Sequence, residues 1–164
     1  MKNTFQIRNA TQNDVPDLIR LVRDLAIYEK LEHEFVGTEE QFSKYGFGEN
    51  SIYDALLAIS ENKAVGFALY FYKFSTFTGR PTLHLEDLFV DPAMRGNKIG
   101  VSLLAALAAI AVKKDCARME WNVLDWNEPA INFYQALGAS SLDGWETYRL
   151  DGDALQQLAL SNKG

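Results

Sequence analysis

Leu85-Glu86-Asp87-Leu88-Phe89-Val90-Asp91-Pro92-Ala93-Met94-Arg95-Gly96-Asn97-Lys98-Ile99-Gly100 is the stretch on which the fold turns. Leu83 to Val90 reads as a strand, and Asp91-Pro92 ends it because proline cannot donate to a ladder. Gly96 and Gly100 punctuate a short basic loop, and an apolar helix follows from about Ile99 to Lys114. A strand that runs through such a loop into a helix points backbone N–H groups at the helix N-terminus, where the macrodipole favours an anion. Glycines let a pyrophosphate approach the backbone, and Arg95 or Lys98 can add charge. The glycine spacing fits neither a Walker A loop nor a dinucleotide fingerprint, and a plain connection is the bland alternative. Glu86 and Asp87 lie inside this apolar strand, where a buried carboxylate is costly unless it is paired or functional.

Working outward, Phe5 to Asn9 alternates as a first strand. Asn13 is a plausible N-cap, followed by an apolar stripe of Val15, Leu18, Ile19, Val22, Leu25 and Ala26 on a helix to about Lys30. Thr38-Glu39-Glu40-Gln41 resembles a capping box for a short helix ending at Gly46. Tyr53 to Ser60 and Val65 to Phe74 are strands around a Glu61-Asn62-Lys63 turn, and Ser75 to Pro81 turns the chain again. Met119 to Val123 reads as a buried strand. Asn127-Glu128-Pro129 opens a helix that Gly138 ends, and Trp145 to Leu150 is predicted as the last strand before a short helix to about Leu160. The order β-α-α-β-β-β-α-β-α-β, antiparallel hairpins first and a βαβ unit second, predicts a mixed-sheet α+β or α/β domain. No repeat or linker divides it, so one domain over residues 1–164 is expected.

Composition narrows the function classes. The 164 residues are 48% hydrophobic, and 16 Lys+Arg against 22 Asp+Glu give a net charge of −6. That balance argues against nucleic acid or an anionic membrane as a general partner and is compatible with a cationic one. A single cysteine, Cys116, excludes an internal disulfide framework, and with His33 and His84 it cannot assemble a zinc cluster; no metal is expected. The N-terminus lacks a secretion signal, and the longest apolar run, Leu103 to Val112, is about half of the ~20 residues a membrane helix needs. A soluble, cytoplasmic protein is the expectation.

A second stretch carries more. Asp125-Trp126-Asn127-Glu128-Pro129-Ala130-Ile131-Asn132-Phe133-Tyr134-Gln135-Ala136-Leu137-Gly138-Ala139, taken with the first, resembles the GNAT superfamily of acetyl-CoA-dependent N-acetyltransferases. That family's loop reads Arg/Gln-x-x-Gly-x-Gly/Ala, and its later helix carries Asn…Ala-x-x-Phe-Tyr…Gly-Ala. Arg95 and Gly100 fit the loop, while Lys98 stands where the middle glycine is usual. Tyr28-Glu29-Lys30, Tyr45-Gly46-Phe47-Gly48-Glu49-Asn50, Phe77-Thr78-Gly79-Arg80, Leu85-Glu86-Asp87 and Gly144-Trp145 narrow the resemblance to the diamine and thialysine acetyltransferase branch. The spermidine/spermine type usually has an acidic residue in place of Ser75 and a tryptophan in place of Phe77, so the likeness leans towards the thialysine type.

The resemblance implies a GNAT-type mixed, mostly antiparallel twisted sheet of about six to seven strands flanked by helices. It implies acetyl transfer from acetyl-CoA to a primary amine of a small cationic molecule by direct attack in a ternary complex. Leu88, Phe89 and Val90 would meet the pantetheine arm beside a splayed strand pair. Arg95, Gly96, Asn97, Lys98, Ile99 and Gly100 would hold the pyrophosphate, with Asn127 and Tyr134 as further cofactor contacts. Tyr28, Glu29, Asp87, Phe77 and Trp145 would shape the amine pocket, which in this branch often forms across a homodimer. Glu86 would take the amine's proton, through a water or with its pKa raised by burial and Asp87; Tyr134 would donate to the leaving thiolate. Without the motif Phe133 and Tyr134 read as core, the Glu29–Glu40 acids as a solvated face, and His84 as a satisfied strand residue. A protein or peptide acceptor and a non-catalytic acyl-CoA-binding module are the rival readings.

Overall fold

The computed structural model describes residues 4–162, and the chain falls into two units, Met1–Asn122 and Val123–Gly164. The first holds β1 (Gln6–Asn9), α1 (Val15–Tyr28), α2 (Glu39–Phe47), β2 (Asp54–Ser60), β3 (Lys63–Ser75), β4 (Arg80–Val90), α3 (Ile99–Lys113) and β5 (Arg118–Trp121). The strands form one sheet in the order β1-β2-β3-β4-β5. Its first three pairings are antiparallel and β4–β5 is parallel, as a βαβ crossover through α3 requires. The expected sequence of hairpins and then a βαβ unit is what the structure has.

The core forms where the α1 stripe meets one sheet face. Leu18, Leu21 and Leu25 pack on Leu57, Phe67, Leu69 and Phe89. Each fully buried side chain of this kind contributes about 1.5–3 kcal/mol. Helix α1 begins later than the Asn13 cap predicts. Asn13 lies in a 3-10 turn, Gln12–Asp14, and the acceptor there is Asp14, which takes the Thr11 backbone N–H at 2.7 Å and the Thr11 hydroxyl at 2.8 Å. Two hydrogen bonds from the Arg8 guanidinium, at 2.8 and 2.7 Å, hold that carboxyl well below the usual carboxylate range. A charged acceptor with a guanidinium partner outcompetes a neutral amide.

Local turn chemistry sets the hairpins. Glu61 and Asn62 adopt φ of 50° and 62° between the paired Ser60 and Lys63, the two-residue turn whose twist suits a β-hairpin. Helix α2 opens with the expected box: Thr38 N–H donates to Gln41 Oε1 at 3.0 Å, and Gln41 N–H donates to Thr38 Oγ1 at 3.3 Å. Strands β3 and β4 run longer than their apolar cores suggest, because their ladder extends out to Ser75 and Arg80.

The second unit contains α4 (Glu128–Ala136) and α5 (Gly152–Leu160). Asn127 Oδ1 accepts the Ala130 N–H at 3.4 Å. Gly138, at φ 90°, closes α4 as predicted: its N–H bonds Gln135 O at 2.9 Å and the Ala139 N–H bonds Tyr134 O at 3.1 Å, a Schellman pair. Trp145 to Leu150 is not a strand, so the described residues form five strands, not six or seven. The segment alternates in sequence, but Trp145 and Tyr148 are 80% and 87% exposed, and the second unit holds no strand of its own among the described residues with which it could pair. Alternation makes a strand only where a ladder partner exists. No helix among the described residues is long and apolar enough to cross a membrane.

Candidate active site

Strand β4 changes partners along its length. Thr82 to Leu85 pair with Lys73 to Tyr70 of β3 on one side and with Arg118 to Trp121 of β5 on the other. The β3 register then jumps: Tyr70 faces Leu85 and Leu69 faces Asp87, which leaves Glu86 as an extra, unpaired residue in a β-bulge. Strand β5 stops opposite Leu85, so Asp87, Leu88, Phe89 and Val90 pair with β3 alone. Their other edge carries backbone groups that require a partner. This is where the splayed strand pair was expected. Phe89 itself is buried in the core, so only its backbone is on offer there. Gly66 faces Val90, and a Cβ on it would stand 2.9 Å from Phe89 O, so glycine is what lets β3 approach.

The chain leaves β4 through a tightly tied loop. Asp91 Oδ1 accepts the Ala93 N–H at 3.0 Å, and Asn97 Nδ2 donates to Met94 O at 3.0 Å. Gly96 sits at φ 81° and Lys98 at φ 64°, both left-handed. The second value explains why glycine is usual at the Lys98 position: a lysine there carries the left-handed penalty of an L-residue. Lys98 makes no side-chain cap, and Ile99 anchors the first turn of α3 in the core. The first N–H groups of α3 have no intrahelical partner and suit an anion. Arg95 Nε donates to Val90 O at 3.2 Å, and its guanidinium lies 4.8 Å from the Tyr28 ring centre and 5.8 Å from that of Phe89.

Three carboxylates gather near the bulge, from two elements. Asp87 lies opposite Leu69 and is partly buried. Burial, then the charges of Glu86 and Glu29, push its pKa up to about 7. Glu29, the C-cap of α1, is also raised, by burial. The Glu86 side chain, expected to act as the base, is 55% exposed, whereas its neighbour Asp87 is partly buried. Glu86 Oε2 stands 3.7 Å from His84 Nε2. His84 is not fully satisfied either: it is buried, its pKa is lowered chiefly by that burial, and its Nδ1 has no hydrogen-bond partner among the described residues.

Within the first unit, Phe77 is not brought here. Phe77 is 95% exposed at the tip between β3 and β4, beyond Arg80. Arg80 to Asp87 spans seven steps of strand, about 23 Å at ~3.3 Å each. Tyr28 lies under Arg95, a long-range contact with no signal in the sequence. Asn127, Tyr134 and Trp145 belong to the second unit, where Asn127 is buried as the α4 cap, Tyr134 is half-buried beside Phe133 with ring centres 5.3 Å apart, and Trp145 follows Gly144 in the extended segment.

Comparison with known proteins identifies the family. The profile of the acetyltransferase (GNAT) family matches residues 20–139. A thialysine N-epsilon-acetyltransferase of Mus musculus is 38% identical over 165 residues, covering 94% of this chain and 96% of that protein. An L-ornithine N5-acetyltransferase of Arabidopsis thaliana is 30% identical over 198 residues, covering 93% and 87%. Among solved structures, an integron cassette protein of V. cholerae superimposes with a TM-score of 0.81 at 30% identity, covering 98% of this chain and 99% of that one. The chain therefore belongs to the acetyltransferase (GNAT) family, whose acyl donor is acetyl-CoA.

Proposed function

We propose that this acetyltransferase moves the acetyl group of acetyl-CoA onto a primary amine of a small cationic molecule, of the thialysine, diamine or polyamine-like class. The observation that carries the reading is the trio Glu29, Glu86 and Asp87 beside the open edge of β4, three carboxylates where a cation gains most. The thialysine and ornithine acceptors named for the relatives are amines of this class.

Acetyl-CoA supplies the activated acyl carbon as a thioester. The edge of Leu88 to Val90 holds its pantetheine arm, and Arg95 with the loop from Gly96 to Gly100 takes the pyrophosphate. Asn127 adds a cofactor contact from the start of α4. Asp87 and Glu29 bind the ammonium groups of the acceptor, and Trp145 packs on its chain. Removing a proton from an ammonium with pKa ~10.4 at pH 7.4 costs about 4 kcal/mol. Glu86, exposed at the bulge, takes that proton through water. The neutral nitrogen forms the C–N bond, the C–S bond breaks as Tyr134 donates its hydroxyl proton to the departing sulfur, and the acylated nitrogen releases its extra proton through water to solvent, from which Tyr134 is reprotonated. The products are the N-acetyl amine and CoA thiol.

A second assignment has its own support. An acid with a pKa of about 7 is well matched to proton transfer at neutral pH, so Asp87 itself can take the proton. Loss of kcat in Asp87→Asn, with KM for the amine unchanged, would select it.

The exposed Phe77, too far along β4 to touch an amine at Asp87 of its own chain, supports a homodimer in which it serves the partner's pocket. A cytoplasmic setting belongs to the same reading, and the single cysteine is compatible with it. The test is the initial rate of CoA thiol release over thialysine, lysine, ornithine, putrescine, spermidine and a basic peptide. Preference for one small amine is expected. Preference for the peptide would move the acceptor to protein, and binding of acetyl-CoA without release for any acceptor would favour a non-catalytic module.

A further inference from the structure

The resemblance places Tyr28 in the amine pocket, beside Glu29, yet its ring lies against Arg95 of the loop proposed for the pyrophosphate. The Arg95 guanidinium stands 4.8 Å from the Tyr28 ring centre and 5.8 Å from that of Phe89, within the range where a cation is attracted by an aromatic face. Phe89 is buried and fixed in the core, and Tyr28 is the last residue of α1, so both rings sit on rigid elements. The guanidinium is tied a third way, through Nε to Val90 O at 3.2 Å. That bond uses Nε and leaves the terminal Nη fork for an anion, which an arginine grips with two parallel hydrogen bonds. Arg95 is otherwise an exposed residue on a loop, with many rotamers to lose on binding.

We propose that Tyr28 is a positioning residue of the pyrophosphate clamp: with Phe89 it holds the Arg95 guanidinium in place before the cofactor arrives, and so governs acetyl-CoA affinity rather than the choice of amine. The proposal rests on the reading of Arg95 as a pyrophosphate ligand. The α1 end then serves both substrates, Tyr28 through Arg95 and Glu29 through its carboxylate.

The experiment compares Tyr28→Leu, Tyr28→Phe, Arg95→Ala and the double variant Tyr28→Leu/Arg95→Ala. Each is titrated with CoA and assayed with two acetyl donors, acetyl-CoA and S-acetylpantetheine, which lacks the pyrophosphate. Tyr28→Leu is expected to weaken CoA binding and raise KM for acetyl-CoA about 5-fold, while kcat/KM for S-acetylpantetheine and KM for the amine stay within a factor of ~2. Tyr28→Phe keeps the ring and should bind CoA like the parent. In the Arg95→Ala background, Tyr28→Leu should cost nothing more, because the two act as one unit. Unchanged use of S-acetylpantetheine also shows that the variant folds. If Tyr28→Leu raises KM for the amine and leaves CoA affinity alone, Tyr28 belongs to the amine pocket and the proposal is overturned. Additive effects of the two substitutions would overturn it as well. If Arg95→Ala itself leaves CoA affinity unchanged, the underlying reading of the loop fails, and the role of Tyr28 with it.

Discussion

From Thr82 to Leu85, β4 is paired with β3 on one side and β5 on the other; from Asp87 to Val90 it is paired with β3 alone. The two halves have similar apolar sequences and different physics. In the closed half the apolar and ionic side chains settle among themselves, although Thr82 Oγ1 and His84 Nδ1 are buried without a hydrogen-bond partner among the described residues. Leu83 and Leu85 are buried, and Glu120 on β5 gathers Lys73 at 2.8 Å and Arg118 at 2.7 Å. In the open half β5 is absent from the backbone edge, Glu86 has only His84 among the described residues, at 3.7 Å, and burial, then the charges of Glu86 and Glu29, push the Asp87 pKa up to about 7. The bulge at Glu86 divides them. A strand can thus supply stability on one side of a single extra residue and a ligand site on the other.

Substitutions across the bulge should separate the two roles. The largest effect is expected for Glu86→Gln, with kcat falling about 100-fold or more while Tm moves by no more than ~2 °C, since an exposed side chain contributes little to folding. A loss of less than about threefold in steady-state rate would assign the proton to another group. Next comes Leu85→Ala in the closed half, expected to cost about 3 kcal/mol, or roughly 10 °C in Tm, by leaving a cavity. Its relative rates over a panel of amines should match the parent's; a changed order of amines would break the division drawn at the bulge.

The pH dependence of stability sharpens the contrast further. Asp87 has a folded-state pKa of about 7, raised by burial and then by Glu86 and Glu29. Its contribution to stability is therefore intact below ~pH 4 and is lost as pH rises through 7. Asp87→Asn should raise stability at pH 8, by on the order of 2–4 kcal/mol at most, and leave it nearly unchanged at pH 4. Thermal melts at both values check this; equal shifts would mean that the carboxyl is not held neutral by its surroundings. The smallest effect is expected for Lys98→Gly. Relief of the left-handed backbone and the added freedom of glycine nearly cancel, so unfolding free energy should stay within about 1 kcal/mol, as urea melts would read. Any rise in KM for acetyl-CoA then measures what the lysine charge adds.

The sequence carried the strand–loop–helix, the β3–β4 hairpin and the α4 cap because their determinants are local: Pro92, the positive φ at Gly96 and Gly138, and the Asn127 side chain. What it left out depends on contacts across the sheet. The bulge is visible only when Leu69 is paired with Asp87 and Tyr70 with Leu85, and neither residue is unusual alone. The Trp145–Leu150 alternation misled for the converse reason, since a pattern cannot state whether a neighbour is there to complete it. The same limit hid which of two adjacent carboxylates is desolvated, and it placed Tyr28 with its sequence neighbour Glu29 and not with Arg95.

The central claim is that the carboxylates at the open half of β4 select a cationic acceptor. The most direct test is the KM of putrescine against that of butylamine, of equal length without the distal charge, in the parent and in Asp87→Asn at pH 8. The account predicts that the substitution raises KM for putrescine about 10-fold and leaves butylamine within twofold. Equal changes for the two amines would contradict it.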